Sequence, residues 1–433
     1  MPERASGPGS RMNPLKVLPG AALLLWPMAV AWADPATVDV FANSRYSDNI
    51  NKREENTEEE FEDRVGIGIS KITRPGTCEG SLNGDVAFVT YRNDTNDDEF
   101  SGTVDANGVC EPNRNFRWSA RDTLRDVRTT TQAADSPANR ERRNVFSTGP
   151  TFTIHPGRRD NLSLDVEYQM TRFQESTDDD SDRLTTTGRW QHLFTSTLNG
   201  GLAVSRSDIE FRQTDEELTR DNANAFFSWQ RPNGQWSGEL GYSWLESERG
   251  VVINETNGLT GRLRYSHQWD AGTSAFGEVR RSITDVSTDL DVRIPGLDLN
   301  LTETSAVIVT AVTAGISQQW TARTSSDASF SGIQQEFDRA GITEERFSMG
   351  LGVNHRISDN FSGRASTGYV REDFGTGVDP VGTARAELGV DYQRTRDLSF
   401  NAGIGHEIRD VVGGPGNEYH ENWAQIGVRY NLR

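Results

Sequence analysis

The chain has 433 residues, 34% of them hydrophobic, and a formal charge of −19 at neutral pH. So acidic a chain lacks the basic footprint that nucleic acid requires. Beyond the first 33 residues no apolar run approaches the roughly 20 residues of a transmembrane helix, so any membrane-spanning part must be made of strands.

Residues 1–33 read as a signal peptide. Lys16 precedes an apolar run from Val17 to Ala31, interrupted by Pro19, Gly20 and Pro27, and Ala31-Trp32-Ala33 sets small residues before a cut at Asp34. Removing this piece takes away Arg4, Arg11 and Lys16 against Glu3, which leaves the mature chain more acidic still. Residues 34–433 then form one domain.

Four candidate strands come next, near Val38–Tyr46, Phe61–Ile72, Leu82–Tyr91 and Phe116–Leu124. Cys78 and Cys110 are the only cysteines, and in an exported chain an even pair reads as one disulfide, here across the base of a hairpin tipped by Asn93–Asp97. From Val145 to Arg433 strict alternation recurs fifteen times, as in Leu162-Leu164-Val166-Tyr168-Met170, Leu259-Leu263-Tyr265, Phe347-Met349-Leu351-Val353 and Ala424-Ile426-Val428-Tyr430-Leu432. Period two puts the apolar residues on one face of each strand and the polar ones on the other.

The breaks alternate in kind. Short turns rich in Pro, Gly, Asp and Asn lie at 156–160, 231–235, 269–273, 356–360 and 394–397. Longer acidic segments lie between them, at 175–183, 207–221, 282–300, 334–345, 371–381 and 409–421. Short turns at one end and long loops at the other mark a transmembrane barrel, with the turns in the periplasm and the loops outside. An even barrel with both termini periplasmic needs an odd number of strands before Val145. Three of the four candidates give about eighteen strands, one gives sixteen, and the Cys78–Cys110 region is the part to drop. The fold class is thus all-β: a single antiparallel transmembrane barrel. Tyr and Trp near the row ends, such as Tyr168, Trp190, Trp236, Trp244, Trp269, Trp320, Tyr392 and Tyr430, suit interfacial girdles.

The polar rows then face the lumen. They carry both signs of charge: Asp165, Glu167, Glu239, Arg262, Arg264, Arg364, Arg385, Glu387, Asp391, Glu407 and Arg429. On lipid such charges would cost about 2–4 kcal/mol each at mid-membrane for Arg, less for carboxylates, which sets the register. Lysine is confined to positions 16, 52 and 71, so the lumen cations are guanidiniums able to bridge carboxylates in pairs. A charge-paired interior and a selectivity lining both fit.

Signals for catalysis are weak. None of the six histidines stands in a metal-binding spacing, no Gly-x-Ser-x-Gly elbow occurs, and His267, His355 and His406 fall on apolar rows late in strands. The acidic runs Asp94–Glu99 and Asp178–Asp182 lack the glycine and terminal glutamate of a calcium loop and read as solvated loops. No catalytic residue, metal or cofactor is expected. The expected partners are outer-membrane lipid and lipopolysaccharide, with small solutes or a polysaccharide as cargo.

Two short motifs point to a family. Tyr46-Ser47-Asp48-Asn49-Ile50 after the first strand, and Asn144-Val145-Phe146-Ser147-Thr148-Gly149-Pro150 opening a later one, resemble stretches of the beta-barrel porin 2 group and of barrels associated with exopolysaccharide and exosortase (PEP-CTERM) systems. The resemblance implies an outer-membrane barrel with a porin-like or polysaccharide-export role and supplies no catalytic residues. A closed structural or adhesive barrel with partner-binding loops is the alternative. A barrel hydrolase is a third.

Overall fold

The computed structural model describes residues 36–432, apart from 74–75, 131–132, 215, 250–251, 285–291, 295–296, 300–306, 338–340, 376, 378 and 412–417. The expected signal peptide, residues 1–33, therefore lies outside the described residues, as does much of the 282–300 segment. No helix among the described residues is long and apolar enough to cross a membrane.

The chain is a run of strands: β1 (Thr37–Ser47), β2 (Glu60–Ile72), β3 (Cys78–Tyr91), β4 (Glu99–Asn113), β5 (Phe116–Arg128), β6 (Arg140–Ile154), β7 (Asp160–Phe173), β8 (Ser181–Leu193), β9 (Leu198–Phe211), β10 (Glu216–Arg231) and β11 (Gly234–Arg249). Then come β12 (Val252–Gln268), β13 (Thr273–Thr284), a small hairpin of β14 (Val292–Ile294) and β15 (Leu297–Leu299), β16 (Val307–Thr321), β17 (Thr324–Phe337), β18 (Ile342–Arg356), β19 (Phe361–Asp373), β20 (Val381–Gln393), β21 (Leu398–Val411) and β22 (Tyr419–Leu432). All but the small hairpin join one sheet of 20 strands, each antiparallel to its chain neighbour. Pairing of β1 with β22, from Val38↔Leu432 to Ser47↔Trp423, closes it into a barrel.

The strand number corrects the expectation of eighteen or sixteen. The fifteen strands from Val145 onward are present as β6–β13 and β16–β22, and all four upstream candidates are strands. The surplus over eighteen is two strands: β3, the candidate in the very region marked for removal, and β4, which matches none of the four candidates. The outer row of β4 is Phe100, Gly102, Val104, Ala106, Gly108 and Cys110, too small and too weakly apolar to show as alternation. The structure joins Cys78 to Cys110 by a disulfide, and the two stand directly opposite each other in the β3–β4 register.

The barrel strands run from 11 residues in β1 to 17 in β12, at or beyond the roughly 9–11 needed to cross a bilayer. Their excess takes up sequence that reads as loop. Within 207–221, β9 continues to Phe211 and β10 begins at Glu216; within 334–345, β17 continues to Phe337 and β18 begins at Ile342.

One row of each strand carries apolar side chains left exposed, among them Leu240 at 67% and Ile426 at 66%, with Val65, Val86, Leu164, Leu202, Val204, Leu259, Leu263, Met349, Leu351, Leu388 and Ile404. Because the sheet closes, this row is the outer wall. Contiguous apolar surface on this scale is untenable in water and suits acyl chains. Aromatic pairs edge the belt. At the turn end Trp236 stacks on Tyr265 with centroids 4.3 Å apart and Tyr392 stacks on Phe400; at the loop end Tyr46 meets Phe61 and Tyr242 meets Trp244. His267, His355 and His406 all stand on this outer face but at different ends. His267 and His355 close strands that descend to the turns, while His406 lies toward the loops and packs beside His420.

In the second motif Gly149 sits against β7 so closely that a Cβ there would lie 1.8 Å from the Val166 carbonyl oxygen. Only glycine allows this approach. Pro150, which has no N–H, occupies the adjoining gap in the β6–β7 ladder.

Candidate functional site

The inner rows meet across the lumen, and their two ends differ. Toward the turns the charged side chains form partly solvated pairs. Arg364 lies 3.5 Å from Asp391, each with 44% of its side chain accessible. Arg262 and Arg264 converge on Glu278 at 2.8 and 3.1 Å, and Arg264 covers the Phe276 ring. Glu239 stands opposite Arg262 in the β11–β12 register. Asp165 accepts a hydrogen bond of 2.6 Å from the Thr151 hydroxyl, and Glu167 shares its row. Arg429 lies 3.4 Å from Asp39 and over the Phe41 ring. Higher on the wall, toward the loops, Arg385 reaches Glu387 at 3.5 Å and the buried Glu407 at 3.7 Å.

Toward the loops the interior is packed, and the first motif explains part of the packing. At the top of β1, Ser47 donates to Glu421 at 2.7 Å, Asp48 accepts from the backbone and side-chain nitrogens of Asn422, and the Asn49 amide donates to the carbonyls of Arg53 and His420. Ile50 packs on Val89 and Tyr91. Thus fastened to β22, the β1–β2 connection turns inward. Lys52, in the left-handed region at φ 52°, places its ammonium 2.6 Å from Glu407 and 3.6 Å from Glu421. Tyr419 donates to Glu407, and Arg45 pairs with Glu421 at 2.5 Å. Glu421 is only 1% exposed.

A second segment crosses from the other side. Ladder pairing of β4 with β5 stops at Val104↔Leu124, whereas β5 and β6 stay paired to Arg128↔Arg140. On its far edge β6 pairs with β7 only as far as Arg143↔Phe173. The tip of the β5–β6 hairpin therefore leaves the wall. Ser101 holds it by donating to Asp126 at 2.7 Å, and Arg128 reaches to within 3.7 Å of Glu372 on β19, nearly opposite in the ring. Only a hairpin lying across the lumen can make that contact. Its charge-dense sequence, with Arg140-Glu141-Arg142-Arg143 in succession, suits an ionic interior and is incompatible with lipid.

At the hairpin tip Asp135 pairs with Arg140 at 2.8 Å, with 49% and 40% of their side chains accessible although protein surrounds them. Burial alone would raise the Asp135 carboxyl, but the charge and hydrogen bond of Arg140 outweigh it and hold Asp135 well below the usual carboxylate range, with Lys52 and Arg128 contributing.

The sequence pattern passed over Arg45, Lys52, Arg128, Arg140, Arg346, Glu372 and Glu421. The run of charge at 140–143, within a segment too long for a plain turn, was the available signal for the hairpin. Arg346 and Glu372 gave none, because each is one more charge on an alternating row.

The acidic run at 178–182 is held by the protein itself. Asp182 accepts from Tyr168, Arg172 and Arg212, and Asp180 from the Phe173 amide, with burial raising the Asp180 carboxyl above its usual value. In the 94–99 run, Thr95 instead caps the buried Glu60. Among the described residues no group of three or more His, Cys, Asp or Glu is arranged to hold a metal ion.

Residues 317–432 match the model of a family described as "Putative beta-barrel porin 2". The closed wall, apolar outer belt and aromatic borders agree with that match. The chain is an outer-membrane β-barrel of porin-like fold. The barrel has no match among curated proteins by sequence. Solved structures similar to it include the FrpB iron transporter from Neisseria meningitidis (F5-1 variant, apoprotein form), at 10% identity over 94% of this chain and 82% of that one, TM-score 0.49. The ferric-catecholate import receptor Fiu from E. coli K12 (open form) is 9% identical over 92% and 82%, TM-score 0.48, and Pseudomonas aeruginosa OccK2 9% over 92% and 98%, TM-score 0.42. These are likenesses of architecture alone.

Proposed function

We propose that the barrel is a passive channel for small polar solutes, narrowed at its loop end by the β1–β2 connection and the β5–β6 hairpin. The observation that carries this reading is the exposed, charge-paired inner row of the turn-end half, exemplified by Arg364–Asp391 and Arg262–Glu278, inside a wall whose outer face is apolar. A dry structural interior would have no use for solvated charges of both signs, whereas water and ions would. Barrels of 16–18 strands already leave an aqueous channel, and this one has 20 strands. The eleven charged residues singled out from the sequence are proposed as part of its lining. With both signs interleaved, weak ion selectivity is expected.

The test is conductance of the refolded protein in planar bilayers, before and after shortening of residues 129–139. Steps that grow on shortening fit a channel with an inward constriction. No step from either form rules the channel out.

The crossing hairpin also suits the second reading, a barrel closed at rest that presents its loops to a partner. In that case neither form conducts and loop deletions abolish a surface interaction. The polysaccharide version of the channel rests on the two motifs alone. It requires that loss of the protein reduce surface polymer while leaving uptake of small solutes unchanged.

A further inference from the structure

Two short connections shape a hollow at the turn-end mouth of the lumen. The ladder between β16 and β17 slips between Gln319 and Thr321, a bulge of the kind that re-aims neighbouring side chains. Beside it the Arg356 amide donates to the Arg323 carbonyl at 2.7 Å, carrying the β17–β18 pairing down into the turn. The chain then folds back at once, with the amides of Ile357 and Ser358 both donating to the Phe361 carbonyl. The bulged turn and this tight one rim a cavity of about 480 Å³ that runs across the feet of β19 and β20 to Ser399 on β21. Ligand sites typically have about 300–1,000 Å³.

Asn354, Arg356, Ser362 and Asp391 line the hollow and belong to the lumen rows, alternating with the outward His355, Phe361 and Tyr392. Most charges on the inner wall are spoken for, as Arg262 and Arg264 are by Glu278. Here the lining is largely unengaged. Among the described residues the side chains of Arg323, Arg356 and Asp359 make no ion pair, those of Asn354 and Ser362 make no hydrogen bond, and Asp391 has only Arg364 at 3.5 Å. On a flat rim, water would meet all of these groups. A recess instead holds them at converging positions over backbone fixed by two tight connections.

We infer that this recess is a binding subsite for a neutral polyhydroxylated solute, a mono- or disaccharide. Two guanidiniums and two carboxylates offset one another, so neither an anion nor a cation is favoured. What remains is a set of donors and acceptors side by side, and sugar hydroxyls, each able to donate and accept, answer both. Because the recess stays open to water, binding is weak, and a channel subsite must let its solute go.

The inference names the solute class for the proposed channel and rests on that reading, but its test reads binding without conductance. Saturation-transfer NMR titrations on the full mature chain in detergent, with maltose, galacturonate and glycine as probes, compare a neutral, an anionic and a zwitterionic ligand. Maltose should bind with a Kd on the order of 1 mM, and the other two more weakly. Arg356→Ala should weaken maltose about tenfold, the loss expected of one hydrogen bond from a charged donor. Asn354→Trp, which fills the recess, should abolish binding. Both positions are exposed, and circular dichroism checks that each variant keeps its strands. No maltose binding by the folded parent, equal binding of galacturonate or glycine, or unchanged affinity in both folded variants overturns the proposal. Maltose binding by a barrel that never conducts would sink the channel and leave the recess standing; conductance without maltose binding would do the reverse.

Discussion

The two halves of the barrel interior use the same residue types to different ends. Toward the turns, Arg364–Asp391 and Arg262–Glu278 lie in contact with water, and a pair of that kind is worth about 0–1 kcal/mol. Toward the loops, Arg346–Glu372 and Lys52–Glu407 are shut away from solvent, each side chain less than a tenth exposed. There the charges have forfeited their hydration, and losing one partner strands the other. An ion pair's effect is therefore set less by its distance than by where in the barrel it stands. The half that solutes would cross is loosely held, and the half that narrows the way is tightly held.

Equilibrium folding into lipid vesicles can try to break that contrast. The largest effect is expected from Glu372→Ala, about 3–5 kcal/mol of lost stability, because Arg346 is left buried and unpaired; a loss under 1 kcal/mol would mean the loop-end half is wetter than its packing suggests. Separating Cys78 from Cys110 frees a loop with a sequence separation of 32, so Cys78→Ser should cost about 3–4 kcal/mol relative to the oxidised protein, and added reductant should reproduce it. Val204→Arg on the outer wall should cost about 2–4 kcal/mol if that row meets acyl chains, and little if it meets water. Asp391→Ala, in the solvated half, should stay within about 1 kcal/mol and alter ion selectivity more than stability.

Acid sharpens the same comparison at the smallest scale. Arg140 depresses the Asp135 carboxyl, so its contribution is complete above the ordinary aspartate range near pH 4 and is lost only as pH falls through the lower folded value. Protection of the hairpin tip from protease should be unchanged between pH 7 and about pH 4. Loss of protection above pH 5 would show that Asp135 does not pin the tip.

The wall was legible in the sequence because lipid enforces it. Rows such as Leu162-Leu164 and Leu259-Leu263 must be apolar on one side, and period two follows. The exception is β4, whose outer row of Gly102, Ala106 and Gly108 packs by being small and so leaves no alternation to read. The charged rows could be found by the same rule, but their depth could not. Glu387 and Glu407 read alike, yet the first is partly exposed and the second is locked to Lys52. What separates them is the inward course of two connections, set by where ladder pairing stops and by contacts between residues far apart in sequence. The Tyr46–Ile50 motif was recognisable as a likeness. Its physical role, tying β1 to β22 and turning Lys52 inward, needed its partners at 420–422 in place.

The seam between first and last strands has a consequence for how the molecule is made. Ser47 meets Glu421 and Asp48 meets Asn422 across 374 residues of chain, and Lys52 meets Glu407 across 355. None of these can form until the final strand has been delivered and zipped to the first, and closing so large a loop is among the slowest of folding events. A barrel caught before that moment would be a curled sheet with its β1–β2 segment hanging free. Sealing of the wall and seating of the Lys52 side of the constriction are thus a single act, and a channel assembled without it would be born leaky.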